Sequence, residues 1–225
     1  MARAAPQPGK TFDHVASGGP GTRRGLWFHR PLEKPLEAFL VSAGVVALGE
    51  MGDKTQLLAI LLAARFRKPW PIVAGILVAT LANHAGAAAI GGWIARAVDP
   101  DVLRWVIGFS FIAMAAWVLV PDKADGVDAA VPARYGVVAT TAVSFFVAEM
   151  GDKTQLATVA LAARYPDLLA VVVGTTLGML LANVPAVLLG HQIARRVSLR
   201  LVHAVAAGLF ALIGVLALVG GHRLA

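Results

Sequence analysis

Long apolar stretches separated by short polar breaks dominate this sequence from residue 37 onward. A helix needs about 20 apolar residues to cross the roughly 30 Å of hydrocarbon in a bilayer. Six stretches approach or exceed this length: 37–64, 70–95, 102–120, 135–163, 168–194 and 199–221. They are too continuous for the period-two alternation of half-buried strands. The pattern therefore predicts an all-α membrane protein with six transmembrane helices.

Two segments fall outside the apolar stretches. Residues 1–36 are rich in Pro, Gly and charge and lack the apolar core of a secretory signal, so we expect a disordered N-terminal tail. Residues 121–134 form an acidic linker loop in the middle of the six stretches. The predicted organisation is thus a tail (1–36), a first three-helix repeat (37–120), the linker (121–134) and a second three-helix repeat (135–221).

An internal repeat relates the two groups of helices. The octapeptide EMGDKTQL at 50–57 recurs without a change at 149–156, an offset of 99 residues, and LAAR at 62–65 recurs at 161–164 with the same offset. Three is an odd number, so the second copy must enter the membrane from the opposite side. The sequence therefore predicts an inverted-topology repeat about a pseudo-two-fold axis in the membrane plane, a construction common among secondary transporters.

Composition narrows the class of protein further. Hydrophobic residues make up 58% and charged residues 15% of the chain, and mean hydropathy is +0.72, whereas soluble domains are about 45–50% apolar and about 25% charged. This composition argues against a water-soluble globular enzyme. The absence of cysteine excludes disulfides, thiolate catalysis and cysteine-based metal sites. The net charge of +7 does not indicate a nucleic-acid partner, because membrane proteins carry Lys and Arg in their loops.

The repeated motif places acidic residues near the middle of the first and fourth stretches. On a continuous helix, positions i and i+3 share a face, so Glu50 and Asp53 should project together, as should Glu149 and Asp152. Two such helices running in opposite directions would bring four carboxylates together at the bilayer midplane. Six neighbouring residues are predicted to line the site secondarily: Lys54, Thr55, Gln56, Lys153, Thr154 and Gln155.

Charge and ligand chemistry indicate what such a site would bind. Four carboxylates and two lysines leave a net charge of −2, which one divalent cation neutralises. Ligands that are all oxygen suit hard cations such as Ca²⁺, Mn²⁺ or Mg²⁺. Clustered carboxylates also take up protons when the cation leaves, so that metal and protons compete for the same oxygens. The alternative to a cation site is that Glu50–Lys54 and Glu149–Lys153 form i,i+4 salt bridges that only stabilise helix packing.

Other polar residues inside the stretches are weaker candidates. Asn83 and Asn183 could contact the ion path, although hydrogen bonding between helices is the simpler role. Ser144 could line the path one turn before the motif. Three histidines could relay protons, but an interfacial or hydrogen-bonded role is favoured for His84, His191 and His203.

The doubled motif resembles the signature E-x-G-D-[KR]-[TS] of the GDT-type family of (Mn²⁺/Ca²⁺)/H⁺ transporters, and both EMGDKT copies fit it in full. The resemblance covers about 37–221. It implies that Glu50, Asp53, Glu149 and Asp152 bind the cation and couple it to protons. It also implies divalent metal and protons as cargo in the lipid bilayer, with no resident cofactor. We expect a bacterial inner-membrane location with both termini cytoplasmic, since Lys and Arg number ten on the terminal side against eight on the other.

Two other functions remain open from the residues alone. One is an integral-membrane lipid-pyrophosphate phosphatase, which would need a nucleophile and an arginine clamp beside the acids. The other is a small-solute exporter with fewer carboxylates and a roomier pocket. The favoured hypothesis is a secondary active transporter that exports Mn²⁺ or Ca²⁺ in exchange for protons. The expected mechanism is alternating access, in which the two halves rock about the midplane site.

Overall fold

A computed structural model describes residues 33–120, 136–189 and 198–219. Within these ranges all regular structure is helical. The eight helices are α1 (Glu33–Glu50), α2 (Lys54–Phe66), α3 (Pro69–Ala97), α4 (Pro100–Val118), α5 (Gly136–Glu149), α6 (Lys153–Arg164), α7 (Leu168–Leu189) and α8 (Leu199–Val219). Residues 1–32 of the predicted tail, the predicted linker and His191 lie outside the described residues.

The helices repeat with the same offset as the motif. Helices α1 and α5 end at Glu50 and Glu149, and α2 and α6 begin at Lys54 and Lys153. The starts of α3 and α7, and of α4 and α8, are likewise 99 residues apart, at 69 and 168 and at 100 and 199. The duplicated sequence therefore forms the same succession of helices twice.

The prediction of unbroken helices over 37–64 and 135–163 is wrong, because each divides at the motif. Gly52 and Gly151 have φ angles of 84° and 76°, in the left-handed region that an α-helix cannot contain. The following residues, Asp53 and Asp152, are extended. The chain restarts as a helix in a new direction, and α1 and α2 meet at 71°.

Four of the described helices, α3, α4, α7 and α8, are long and apolar enough to cross a membrane. The bent pair of α1 and α2 adds a fifth crossing if the two count as one span, and α5 is a shorter apolar helix. Large apolar side chains also face outward from these helices, as a lipid-exposed surface requires, among them Val78, Ile90, Phe109, Leu181 and Leu212. The chain is thus an all-helical membrane protein.

The two halves are interleaved rather than side by side. Helix α1 packs along α7, and α5 packs along α3 in the matching way. Helix α6 contacts α3, α2 contacts α7, and α4 pairs with α8. Glycines permit the closest approaches: a Cβ at Gly75 would lie 2.5 Å from Cβ of Thr141, and one at Gly174 would lie 2.5 Å from the Phe39 carbonyl oxygen. Most of the packing that buries α1–α3 and α5–α7 therefore comes from the other half.

One end of the bundle is marked by two adjacent cavities that share the end of α6, at Arg164 and Tyr165. The first cavity also contacts Arg96 near the end of α3 and Leu168 at the start of α7. The second contacts Lys34 of α1, Asp101 of α4 and Ala217 of α8. The starts of α1, α4 and α7 and the ends of α3, α6 and α8 therefore lie at the same end.

A hydrogen bond ties two of these termini together at that end. The Tyr165 hydroxyl, just past α6, donates to Oε1 of Glu37 over 3.1 Å. Burial raises the pKa of the Tyr165 phenol further above its ordinary value, so the hydroxyl can donate at any pH near neutral.

Candidate cation site

The two motif loops meet in the interior where α1 and α5 end and α2 and α6 begin. In each loop the glycine N–H donates to the glutamine three residues after the aspartate, over 3.0 Å from Gly52 to Gln56 and 2.7 Å from Gly151 to Gln155. The aspartate N–H in each loop returns to the glutamate carbonyl over 3.1 Å. Neither aspartate side chain caps the helix that follows it.

Three of the four predicted carboxylates come together. One oxygen each from Glu50, Asp53 and Asp152 lies within 4.8 Å of the other two, and all three side chains are buried. Two of them belong to the first repeat and one to the second. The convergence that the sequence predicted is therefore present for these residues, although the broken helix and not a shared helical face produces it.

The fourth carboxylate is turned to a neighbour in its own repeat. Glu149 is fully buried, and its Oε2 accepts a 2.9 Å hydrogen bond from the Thr154 hydroxyl. The equivalent residues of the first repeat are Glu50 and Thr55, and they do not make this hydrogen bond. Neither the Glu50 carboxylate nor the Thr55 hydroxyl has a hydrogen-bond partner among the described residues. Glu50 is thus left with two buried, uncompensated oxygens, an arrangement that is costly unless a cation or proton occupies it.

The motif lysines pair across the repeats, which corrects the i,i+4 alternative. Lys153 forms an ion pair with Asp53, and Lys54 Nζ lies 3.4 Å from Asp152 Oδ1. Each lysine follows the break in its own repeat and pairs with the aspartate of the other repeat. These crossed pairs fasten the two loops together and offset part of the carboxylate charge.

Helix termini add their own electrostatics to the cluster. The N-terminal ends of α2 and α6 begin at the two aspartates, so their exposed N–H groups partly compensate the carboxylates. The C-terminal ends of α1 and α5 bring carbonyl groups to the same place. Broken helices that present both kinds of terminus to an ion are a recurrent construction in transporters.

Three of the remaining candidates donate to backbone carbonyls rather than to the carboxylates: Gln56, Asn83 and Asn183. Gln56 Nε2 donates to the Ala182 carbonyl over 3.1 Å and so ties the first loop to α7. Asn83 Nδ2 donates to the Phe146 carbonyl of α5, and Asn183 Nδ2 donates to Met179 of its own helix, each over 3.1 Å. Ser144 is buried, and its hydroxyl has no hydrogen-bond partner among the described residues.

The sequence reasoning did not find the aromatic pair beside the site. Phe111 and Phe210 are fully buried, stand 99 residues apart and contact each other with ring centroids 5.9 Å apart. A Cβ at Gly49 would lie 3.5 Å from Phe210, so this ring covers the residue before Glu50. The offset of 99 between the two phenylalanines was the available signal.

A histidine also reaches the first loop. His203 Nε2 donates to the Met51 carbonyl over 3.1 Å. His84 is fully buried in α3, and neither of its ring nitrogens has a hydrogen-bond partner among the described residues.

A membrane-embedded helical bundle with carboxylates from two repeats gathered in its interior belongs to the class of cation-handling membrane proteins. Comparison of sequences then identifies the group. The profile of the family described as "Divalent cation/proton antiporter GDT1" matches residues 38–126 and, a second time, residues 137–224. The chain belongs to the GDT1 family of divalent cation/proton antiporters, and the doubled match confirms the internal repeat. This is a family of transporters, so the phosphatase alternative is excluded.

Two curated relatives agree with this assignment. A protein of Vibrio cholerae serotype O1 named "Putative manganese exporter" is 53% identical over 183 residues, covering 81% of this chain and 90% of the relative. The "GDT1-like protein sll0615" of Synechocystis sp. is 28% identical over 200 residues, covering 80% and 96% respectively. No solved structure matches the chain.

Proposed function

We propose that this antiporter exports Mn²⁺ in exchange for protons, with Glu50, Asp53 and Asp152 as the ligands of the cation and Glu149 as an alternate ligand. The observation that carries the proposal is the buried cluster of three carboxylates drawn from both repeats. The name of the Vibrio relative supports Mn²⁺ as the cargo. Ca²⁺ prefers the same oxygen ligands and is the second candidate.

Competition between metal and protons supplies the exchange. Carboxylates bind metal only when deprotonated, so a rising proton concentration lowers the affinity for the cation. When the metal leaves, Lys54 and Lys153 each hold one aspartate, while Glu50 has no ion pair among the described residues. Glu50 is therefore the group assigned to exchange a proton for the cation. An inward proton gradient then drives cation export.

The arrangement of helix ends supports a six-crossing, inverted-repeat topology. Starting from the end with the cavities, α1–α2 leads away from it, α3 returns, α4 leads away, α5–α6 returns, α7 leads away and α8 returns. On this path each bent pair counts as one crossing, and the second repeat begins at the end where the first one finishes. The domain division 37–120 and 135–221 is part of this proposal, as is the inner membrane with cytoplasmic termini.

The test is a flux assay in proteoliposomes. Purified protein with an imposed pH gradient should move radioactive Mn²⁺ against its concentration gradient, with proton movement in the opposite direction. Parallel measurements with Ca²⁺ rank the two cations. A protein that moves neither cation under any pH gradient would contradict the proposal.

Substitutions locate the transport at the site. Glu50→Gln and Asp152→Asn should each abolish Mn²⁺ flux while the protein still reaches the membrane, because each removes an anionic ligand. Ser110→Ala is the matched control, since the Ser110 hydroxyl bonds only to Ile107 of its own helix in the described structure. Normal flux by either acidic variant would exclude these ligands.

A further inference from the structure

The two repeats have nearly the same sequence at the motif but do not make the same contacts. The first difference concerns how the loops are covered. His203 and Leu199, at the start of α8, close over Met51 and Gly52: His203 donates to the Met51 carbonyl, and a Cβ at Gly52 would lie 2.9 Å from Leu199 Cδ2.

The equivalent contacts in the other repeat are not made. The counterparts of Leu199 and His203, 99 residues earlier, are Pro100 and Arg104 at the start of α4. The loop they would cover is open, because Met150 is 61% exposed and no atom of the described residues lies within 4 Å of a Cβ built on Gly151. The site is thus covered on the side of the α8 start and uncovered on the side of the α4 start.

The second difference lies in the carboxylates. Thr154 holds Glu149, whereas the equivalent Thr55 hydroxyl and Glu50 have no hydrogen-bond partners among the described residues. Glu50, in the covered loop, is therefore the glutamate available to bind a cation. Glu149, in the open loop, is held by its hydrogen bond to Thr154.

The third difference is in helix packing. Helices α4 and α8 form one tight unit, since Gly108 and Gly214 let their backbones approach and the tilted rings of Phe111 and Phe210 contact each other. This unit packs on α1 through α8 and on α6 through α4. In the described ranges α4 makes no comparable contact with α5, nor α8 with α2, although these are the repeat-equivalent pairs. The α4–α8 unit therefore packs asymmetrically on the six remaining described helices, against α1 and α6 and not to a comparable extent against their repeat equivalents α5 and α2.

We propose that the α4–α8 unit is the moving part of the antiporter and that it shifts between this arrangement and its repeat-exchanged counterpart. In the second state the start of α4 closes over Met150 and Gly151, and Arg104 donates to the Met150 carbonyl. Thr55 then holds Glu50, and Glu149 joins the two aspartates as the ligand. The two gating residues are His203 and Arg104, at equivalent positions on opposite sides of the site. That this motion serves cation/proton exchange rests on the proposed function, whereas the motion itself is inferred from the helix contacts alone.

The interleaved packing explains why this unit moves instead of one half against the other. The other six helices are locked by contacts between halves, including the glycine approaches of α3 to α5 and of α7 to α1. Rocking of complete halves would break these contacts. A shift of α4 and α8 together only exchanges one set of contacts for an equivalent one, so that the two states can have similar energies.

Cysteine cross-linking tests the second state directly, because the chain has no native cysteine. One double variant, Met51→Cys with His203→Cys, reports the arrangement described here. The other, Met150→Cys with Arg104→Cys, reports the exchanged one. Each pair joins one repeat to the other, so a protease site placed in the linker reveals a cross-link as halves that stay together on a denaturing gel. A short bifunctional methanethiosulfonate is added to membranes without any cation.

Both pairs should cross-link, each link should lower Mn²⁺ flux below that of the same variant before treatment, and reduction should return the flux to that earlier level. The single-cysteine variants control for expression and for the loss of each side chain. Failure of the Arg104–Met150 pair to cross-link, under conditions in which the Met51–His203 pair does cross-link, would overturn the inference. If the unmodified protein carries no Mn²⁺ but both pairs cross-link, the proposed function fails and the motion stands.

A pair of threonine variants gives a second readout that needs no cross-link. If the protein kept only the arrangement described here, Thr55→Val would leave Mn²⁺ flux unchanged, because that hydroxyl has no hydrogen-bond partner among the described residues. Only Thr154→Val would lower the flux, because it removes the hydrogen bond to Glu149. Exchange of the two states makes both hydroxyls necessary in turn, so each variant should slow Mn²⁺/H⁺ exchange by about tenfold, the worth of one hydrogen bond to a carboxylate. Thr175→Val is the control, since that hydroxyl bonds to its own helix. Flux of Thr55→Val equal to that of the control would contradict the inference.

Discussion

The two motif lysines have the same sequence surroundings but different environments. Lys153 is almost completely buried with Asp53, whereas the Lys54 side chain is 29% exposed and stands 3.4 Å from Asp152. Removal of one partner from a buried ion pair leaves an uncompensated charge, which costs much more than loss of a partly hydrated pair. The difference in burial therefore predicts a difference in stability.

We expect Lys153→Met to lower the free energy of unfolding by about 3–5 kcal/mol and Lys54→Met by less, because the Lys54 side chain is 29% exposed although its partner Asp152 is buried. Thermal unfolding in detergent, followed by tryptophan fluorescence, measures both. Each variant serves as the matched control for the other, because the residues occupy equivalent positions in the repeat. Equal destabilisation would show that the crossed pairs do not differ in burial.

At the scale of elements, the break in the motif helices decides where the carboxylates lie. Each break depends on a glycine in the left-handed region, where a Cβ costs about 1–2 kcal/mol. Gly52 and Gly151 share this requirement but not their neighbours. A Cβ at Gly52 would also lie 2.9 Å from Leu199 Cδ2 and 3.1 Å from His203 Nε2, whereas Gly151 has open space around it in the described structure.

Gly151→Ala should therefore destabilise the protein by about 1–2 kcal/mol, and Gly52→Ala by more, because it adds contact with the start of α8 to the backbone strain. Both should reduce Mn²⁺ flux, since the carboxylates shift with the loop. Gly86→Ala, in the middle of α3 with no described atom within 4 Å of the added carbon, should be neutral or slightly stabilising. The same unfolding assay checks all three, and a tolerated Gly52→Ala would show that the loop does not need its positive φ.

At the scale of the molecule, each repeat depends on the other for its packing. Helix α1 lies along α7 and α5 along α3, and two buried apolar clusters are built from both halves. A half by itself would leave its glycine-lined helix faces without the helices that fill them. The duplication therefore produces one folding unit, not two.

Separate expression of residues 1–128 and 129–225 should yield halves that are degraded and inactive, whereas co-expression of both should restore protease-resistant protein and Mn²⁺ flux. The control is the full chain cleaved in the linker after folding, which should keep its activity. Pulse-chase stability and the proteoliposome assay give the two measurements. A first half that persists alone in the membrane would argue against interleaved folding.

Much of this could be anticipated from the residues. The long apolar runs predicted membrane helices because lipid admits few other structures, and the family profile confirmed both the repeat and the antiporter activity. The proximity of Glu50 and Asp53 was anticipated for the wrong reason, because an i,i+3 pattern assumes a continuous helix. The glycine in each motif signalled the break, but a helical glycine such as Gly86 has the same sequence appearance.

By itself, the sequence determined the class of protein, the duplication and the two acidic residues in each copy of the motif, because these follow from composition and from covalent order. Only the tertiary structure decided that each lysine pairs with the aspartate of the other repeat, that three carboxylates cluster while Glu149 turns to Thr154, and that α8 covers one loop while α4 leaves the other open. Identical motifs have identical local preferences, so no local pattern can distinguish them. The difference arises from which distant helix packs against each copy.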